Sequence, residues 1–403
     1  MMRPGRPLRN GFLLAAAQLA ACAAVIRYSG VIEPSGDAPA YLGIARHVAG
    51  GLGFSYDGVT PFAYLPPIFS SLLGFWFFLT RTDSVLSASV FQSLALAAGA
   101  LATYALYREL FDDDRLAAAL AFVVALNPLL FVNAVYVVQE PVLLLATTVA
   151  LWLTLRYLRR RDMTSAAAAG VAWGAATLAK VVTWFAPFLL AFLMALRSTE
   201  ERAGLRRAAL IVVLSLAVIF PWTARNYLHF HQFIPVNNQG TGALEWFVSR
   251  GTLTKAGGDV LVQELQAKNP SVDEHRRELW RFALAHPTLS IEQVAKNVIW
   301  FTQPYREWFG NVAGLSMRWY VWLWPALFFH APLYVGLFVS GLVAWKQRHT
   351  ERLFLFLFYL LYWGEYATYW GDPRFAMPVF PVLLGLGADG LRRSAHWLSS
   401  RLK

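Results

Sequence analysis

Long apolar runs separated by short basic loops constrain this chain more than any other feature of its sequence. A run of about 20 apolar residues is long enough to cross the hydrocarbon core of a bilayer as a helix. The chain has 403 residues, of which 57% are hydrophobic and 15% charged. Soluble domains do not have this composition. We therefore predict a single, all-α membrane domain over residues 1–403, a polytopic protein with about ten transmembrane helices.

The first apolar run, Gly11–Ile26, follows a basic N-terminus and resembles a signal peptide. Leu19-Ala20-Ala21-Cys22 also resembles a lipoprotein processing box. Because further apolar runs follow, we interpret this run as the first span. Cys22 is the single cysteine, so the sequence offers no disulfide framework. The other predicted spans are Ser84–Tyr107, Leu116–Tyr136, Pro141–Leu155, Ala166–Val182, Trp184–Leu196, Ala208–Thr223, Trp319–Trp345, Leu353–Tyr369 and Met377–Leu391.

The placement of the basic residues predicts the topology. Lys and Arg gather in cytoplasmic loops of membrane proteins. The short run Ile68–Leu79 follows Pro66-Pro67 and has only about 12 apolar residues, too few to cross a bilayer. If it lies at the membrane face, the main basic clusters all fall on one side, with both termini in the cytoplasm. The net charge of +11 is then explained by a multi-pass inner (plasma) membrane protein, without nucleic acid. The clusters are Arg3/Arg6/Arg9, Arg108/Arg115, Arg156/Arg159/Arg160/Arg161, Arg197/Arg202/Arg206/Arg207, Lys346/Arg348/Arg352 and Arg392/Arg393/Arg401/Lys403.

Two polar segments are predicted on the opposite, extracytoplasmic side. Residues 31–83 form the first loop, with an amphipathic helix over Ala38–Gly50 and the interfacial element Ile68–Leu79. Residues 229–317 are predicted to form a cap with helices over Val272–His286 and Ile291–Phe301. A segment of that length is too long for a plain connection between spans.

Ionisable side chains beside the hydrocarbon are costly, so we look for chemistry among them. Asp37, Glu140, Lys180, Arg225 and Arg374 all fall on the extracytoplasmic side of the predicted topology. Each also has a structural explanation. Asp37 suits the N-cap of the helix after it, Glu140 a helix N-terminus, Lys180 a snorkelling position, and Arg225 the end of a helix.

Structural explanations also apply to Arg374, Tyr64, His229 and His231. Arg374 can simply pair with Asp372, and Tyr64 suits an interfacial anchor as well as a ligand. His229 and His231 have no nearby acid, so the sequence does not favour a metal site there.

Several motifs, taken in chain order, resemble those of the C-type (GT-C) membrane glycosyltransferases, nearest to family 39 with its protein O-mannosyltransferases and to the aminoarabinose transferases. One departure is Ala38 after Asp37, where protein O-mannosyltransferases have an Asp-Glu pair. The motifs are Asp37 with Tyr41, Pro66-Pro67, Asn127-Pro128, Glu140-Pro141, Gly170-Val171-Ala172-Trp173-Gly174 with Lys180, Pro221-Trp222-Thr223-Ala224-Arg225-Asn226, and Asp372-Pro373-Arg374 with Pro378 and Pro381.

This resemblance implies transfer of a sugar from a polyprenyl-phosphate donor to a lipid, polysaccharide or protein acceptor at the outer membrane face. Asp37 is then the general base that takes the proton of an acceptor hydroxyl. Arg225, Arg374 and Lys180 are candidates for binding the lipid phosphate. A direct displacement needs no second nucleophilic carboxylate, and we expect no cofactor and no obligatory metal. Further substrate contacts are expected from Tyr41, Tyr64, Glu140, Asn226 and Asn238.

Two other classes of function stay open at this point. A transporter or flippase of lipid-linked sugars would also need cations near a lipid phosphate, but transporters usually place polar residues near the midplane and often show paired repeats. A scaffold for envelope-polysaccharide assembly explains the spans but not the one-sided group of Asp, Lys and Arg residues.

Overall fold

The computed structural model describes residues 6–197, 202–268, 271–302 and 326–401, and these ranges contain helices and no β-strand. The predicted all-α class is confirmed. The α-helices are α1 (Arg6–Ser29), α2 (Ala38–Ala49), α3 (Pro67–Thr80), α4 (Val85–Leu110), α5 (Asp114–Ala125), α6 (Pro128–Phe131), α7 (Glu140–Arg160), α8 (Met163–Ala179), α9 (Ala186–Arg197), α10 (Arg202–Phe230), α11 (Gly240–Ser249), α12 (Gly258–Lys268), α13 (Val272–Ala285), α14 (Pro287–Thr302), α15 (Ala331–Lys346), α16 (Thr350–Ala367) and α17 (Phe380–Arg401). Short 3₁₀ helices occur at Val132–Ala134, Val181–Thr183, Gly251–Ala256 and Pro373–Val379.

The predicted spans coincide with helices α1, α4, α5 with α6, α7, α8, α9, α10, α15, α16 and α17. Within the described ranges, six helical segments are long and apolar enough to cross a membrane. They correspond to α1, α4, α7, α10, α15 and α17. A seventh candidate, Asp114–Ala125 with Pro128–Ala134, is bent by 47° at the Asn127-Pro128 step. The protein is therefore a multi-pass membrane protein, while the total of ten spans stays a prediction. Residues 319–325 of the eighth predicted span, like Arg3 and Lys403, lie outside the described ranges.

Small residues let two of the central helices approach each other closely. Gly170 and Gly174, four residues apart on α8, lie against the backbone and side chains of α10. A Cβ atom at Gly174 would meet the Cβ of Val218 at 2.6 Å and the carbonyl oxygen of Ser215 at 2.7 Å. Such small residues at spacing four are a common device of membrane helix packing. An adjacent face of α8 buries Trp173, whose Nε1 donates to Thr154 Oγ1 at 2.9 Å.

The first loop forms a compact unit on this helical core. Helices α2 and α3 pack through an edge-to-face contact of Tyr41 and Phe69, with ring centroids 4.9 Å apart. The predicted helix Ala38–Gly50 is present as α2. The short predicted element Ile68–Leu79 is present as the 14-residue helix α3. Its length matches the interfacial prediction, which otherwise remains untested.

The described part of the cap, from 229 to 302, has its own small core. Leu244, Val248, Leu253 and Leu279 are buried there. The two predicted cap helices are present as α13 and α14. Helix α14 is fixed to the membrane core by Asn297, whose Nδ2 donates to the carbonyl of Ala367 at 3.0 Å. Residues 303–317 of the predicted cap lie outside the described ranges.

Candidate active site

A cavity of about 350 Å³ lies where the first loop, the start of α7, the break after α8, the cap and the end of α16 meet. Residues from six separated parts of the chain supply its wall, within 35–41, at 64, and within 136–140, 180–182, 237–246 and 365–375. Six of the nine predicted site residues line this cavity. They are Asp37, Tyr41, Tyr64, Glu140, Lys180 and Arg374.

Asp37 stands at the N-cap position of α2 but does not cap the helix. A capping aspartate usually has an extended backbone, from which its carboxylate reaches the first free N–H groups. Asp37 instead has helical dihedrals, φ −80° and ψ −13°, and makes no side-chain capping hydrogen bond. Pro39 in the first turn lacks an N–H, which lowers the need for a cap. The exposed carboxylate of Asp37 therefore lines the cavity without a capping role.

The irregular segment before α7 is held in place by one buried glutamine of α4. Gln92 Nε2 donates to the carbonyl oxygens of Asn133 and Tyr136, at 3.1 and 2.6 Å. Its Oε1 accepts the N–H of Val138 at 2.8 Å. Unpaired backbone groups are costly in a membrane protein, so these bonds allow a non-helical approach to the cavity. They place Glu140 at the first residue of α7.

Glu140 and Lys180 form a buried ion pair in the cavity wall. Lys180 Nζ lies 3.3 Å from Glu140 Oε1, and the two side chains are only 10% and 3% exposed. When the Gln139 amide is oriented to satisfy its neighbours, its oxygen accepts from Lys180 Nζ at 3.3 Å and from the Tyr41 hydroxyl at 3.2 Å. Lys180 Nζ also lies 4.2 Å from the ring centre of Phe375. Lys180 is thus held by an acid, an amide and an aromatic face.

Arg374 reaches the same cavity from the turn after α16. Asp372 caps the following 3₁₀ helix, because its Oδ1 accepts the backbone N–H of Arg374 at 2.9 Å. The guanidinium lies 4.8 Å from the ring centre of Phe375 and is within electrostatic reach of Asp37 and Glu140. A second cation therefore lies next to the Glu140–Lys180 pair.

Two tyrosine hydroxyls complete the predicted set. Burial raises the pKa of Tyr41 well above its ordinary value and also raises the pKa of Tyr64. Both hydroxyls therefore keep their protons at neutral pH. Tyr41 donates its proton to the Gln139 amide oxygen, and Tyr64 is available as a hydrogen-bond donor. Tyr64 rests against the cap, where a Cβ at Gly242 would lie 2.9 Å from its hydroxyl oxygen.

Arg225, Asn226 and Asn238 do not line this cavity. The Arg225 guanidinium donates to the carbonyl oxygens of Phe62 and Phe54, at 2.8 and 3.0 Å, and so ties the first loop to α10. Asn226 is fully buried and donates to the Ile234 carbonyl at 3.0 Å. Asn238 contributes its backbone N–H to the first loop. These contacts are structural, and the predicted substrate contacts of the three residues remain predictions.

The sequence interpretation missed several residues of the cavity wall. Trp246 of α11 and the run from Glu365 to Trp370 at the end of α16 line it. A Tyr- and Trp-rich helix end is common at membrane interfaces, so the pattern itself gave no signal of a site.

The described residues contain no group of three or more His, Cys, Asp or Glu that could hold a metal ion. The expectation of a metal-independent reaction stays a prediction.

A family model described as dolichyl-phosphate-mannose-protein mannosyltransferase matches residues 65–224, less than half of the chain. The matched range contains Glu140 and Lys180. No curated protein sequence matches the chain significantly.

The fold is similar to that of solved membrane proteins. The oligosaccharyltransferase AglB from Archaeoglobus fulgidus, in complex with an inhibitory peptide and a dolichol-phosphate, matches 96% of this chain with a TM-score of 0.56 and 17% identity. Its apo form gives a TM-score of 0.55 at 16% identity, again over 96% of the chain. This chain covers 51% of the oligosaccharyltransferase in both, so it spans about half of that protein's length.

A more distant match is ArnT from Cupriavidus metallidurans bound to undecaprenyl phosphate. The match covers 95% of this chain and 78% of that protein, at 16% identity and a TM-score of 0.47. At this identity the similarity to the oligosaccharyltransferase shows the fold, which is the GT-C fold that the sequence motifs predicted. The family model, over residues 65–224, agrees with the resemblance indicated by the sequence motifs.

Proposed function

We propose that this protein transfers a sugar from a polyprenyl-phosphate donor to a hydroxyl acceptor on the extracytoplasmic face of the membrane. One observation carries the proposal. The carboxylate of Asp37, which caps no helix, lines the same cavity as two cations, Lys180 and Arg374. The GT-C fold supports a glycosyltransferase in general. The dolichol-phosphate named with AglB suggests the class of lipid carrier.

In the proposed reaction, Asp37 acts as the general base. The acceptor oxygen forms a bond to the anomeric carbon of the sugar while the bond from that carbon to the phosphate oxygen breaks. Asp37 takes the acceptor proton, and polyprenyl phosphate leaves with the bonding electrons. A single displacement of this kind inverts the anomeric centre. An exposed carboxylate is suited to this role because an acceptor can approach it from solvent.

Arg374 and Lys180 stabilise the phosphate of the donor and of the leaving group. Arg374 can bind a phosphate through two parallel hydrogen bonds. Lys180 is paired with Glu140, and Arg374 is a second cation in the wall of the same cavity. Glu140 keeps the Lys180 ammonium in the cavity wall. Tyr64 is placed to donate a hydrogen bond to a substrate oxygen, and the Tyr41 oxygen is placed to accept one from a substrate hydroxyl.

The function is tested with purified protein in lipid and a panel of radiolabelled polyprenyl-phosphate sugars. Release of free polyprenyl phosphate is followed with and without a membrane extract that supplies acceptors. We expect release with at least one donor, and only when acceptor is present. If the label crosses the bilayer with the donor intact, the protein is a transporter of lipid-linked sugars and the proposal is wrong.

A further inference from the structure

Glu365 is a carboxylate of the cavity wall that the proposed reaction does not use. It lies in the last turn of α16, is half-buried and lines the cavity together with Trp370. In the described part of the chain, its carboxylate has no ion pair and no side-chain hydrogen bond. Lys180 is within electrostatic reach of Glu365, as it also is of Asp37. The cavity therefore has a second acidic position near the proposed phosphate site.

Two indole rings line the same cavity as this carboxylate. Trp246 of the cap and Trp370 pack edge to face, with ring centroids 5.4 Å apart, and both line the cavity. The Arg250 guanidinium lies 3.5 Å from the ring centre of Trp246 and 5.6 Å from that of Trp370. Trp300 packs against Trp370 at 5.7 Å. The two rings are thus fixed by neighbours, although Trp246 remains 41% exposed.

A fixed aromatic face in the same cavity as a carboxylate is the chemistry that recognises a sugar. The C–H groups on one side of a sugar ring pack against an indole face. An ionised carboxylate accepts hydrogen bonds from sugar hydroxyls and donates none. A sugar that bears its own carboxylate would instead be repelled, because like charges close together are unfavourable in a partly desolvated site.

We propose that Glu365, Trp246 and Trp370 form the subsite for the donor sugar and select an uncharged, hydroxyl-rich sugar over a uronic acid. This inference rests on the proposed function for the identity of the donor. The phosphate lies toward Arg374 and Lys180, the anomeric carbon toward Asp37 and the far edge of the sugar toward Glu365. Glu365 is a specificity-determining residue and takes no part in the proton transfer.

The test measures equilibrium binding in lipid nanodiscs and needs no turnover. Three lipids with the same short polyprenyl chain and one phosphodiester charge are compared, carrying a neutral hexose, the corresponding hexuronic acid or a methyl group. The variants are Glu365→Gln, which keeps the size of the side chain, and Trp370→Leu. Glu351→Gln, in the first turn of α16 and outside the cavity wall, is the matched control.

We expect wild-type protein to bind the hexosyl lipid at least tenfold more tightly than either the methyl or the hexuronosyl lipid. Glu365→Gln should weaken hexosyl binding about tenfold, since bonds to a charged acceptor are stronger than neutral ones. Glu365→Gln should also reduce the ratio of the affinity for the hexosyl lipid to that for the hexuronosyl lipid. Trp370→Leu should weaken hexosyl binding, and retained binding of the methyl lipid shows that both variants fold.

The subsite is refuted if wild-type protein binds the hexosyl and methyl lipids equally, or if Glu365→Gln keeps the wild-type ratios. Transfer is measured separately with the wild-type protein. Hexosyl binding that depends on Glu365, without any transfer, would leave the subsite intact and contradict the proposed function. Transfer by the wild-type protein, together with binding ratios that Glu365→Gln leaves unchanged, would contradict the subsite alone.

Discussion

Lys180→Met should destabilise the protein strongly, because it leaves the Glu140 carboxylate buried without its partner. The two charged atoms are 3.3 Å apart, and the side chains are 10% and 3% exposed. Removing one member of a buried ion pair typically costs about 3–5 kcal/mol. Arg374 also acts electrostatically on Glu140 and offsets part of this loss. We therefore expect a loss of about 3 kcal/mol, at the lower end of that range.

The assay is reversible unfolding of the purified protein in mixed detergent, followed by its change in helicity. The double variant Glu140→Gln with Lys180→Met contains no unpaired buried charge, so it should recover most of the lost stability. Lys255→Met is the matched control. It breaks the exposed pair of Lys255 and Glu292, at 3.4 Å and with side chains 60% and 39% exposed, and should change the stability by less than about 1 kcal/mol. If Lys180→Met lowers the free energy of unfolding no more than Lys255→Met does, the Glu140–Lys180 pair is not desolvated and the predicted loss of stability is wrong.

Three further substitutions test how the cap and first loop are held over the cavity. A Cβ at Gly371 would collide with the carbonyl of Asn297, so Gly371→Ala should displace α14 and slow donor turnover, while circular dichroism shows the helices intact. Gly251 has φ +73°, and an added Cβ would collide with Gln293. Gly251→Ala should therefore lower the stability by about 1–3 kcal/mol and make the cap more sensitive to limited proteolysis. Unchanged cleavage would contradict this. Arg225→Lys should lower thermal stability without changing donor affinity, and a loss of donor affinity would instead support the predicted phosphate contact.

Much of the architecture was predictable because membrane helices follow from simple physics. Apolar length and basic loops locate the spans, and Pro66-Pro67 locates the start of the short helix α3. The polar stretch around Asp37 stood out for the same reason, since acidic side chains are rare beside hydrocarbon.

The remaining parts of the site depend on packing that a sequence does not reveal. Arg225 looked like a phosphate ligand, yet its guanidinium bonds to backbone carbonyls of a loop far away in sequence. Glu365 and Trp246 belong to ordinary helical patterns, and they meet in one wall because the cap folds over the end of α16. Which face of a helix lines a cavity is decided by its neighbours, and these lie more than 100 residues apart here.

The most direct test of the central claim compares Asp37→Asn with Glu33→Gln in the donor-release assay. Glu33 is an exposed acid of the same loop and does not line the cavity. We expect Asp37→Asn to abolish acceptor-dependent release of polyprenyl phosphate while donor binding stays near wild type, and Glu33→Gln to change neither. Arg374→Ala should weaken donor binding itself. Wild-type turnover in Asp37→Asn would contradict the assignment of Asp37 as the general base.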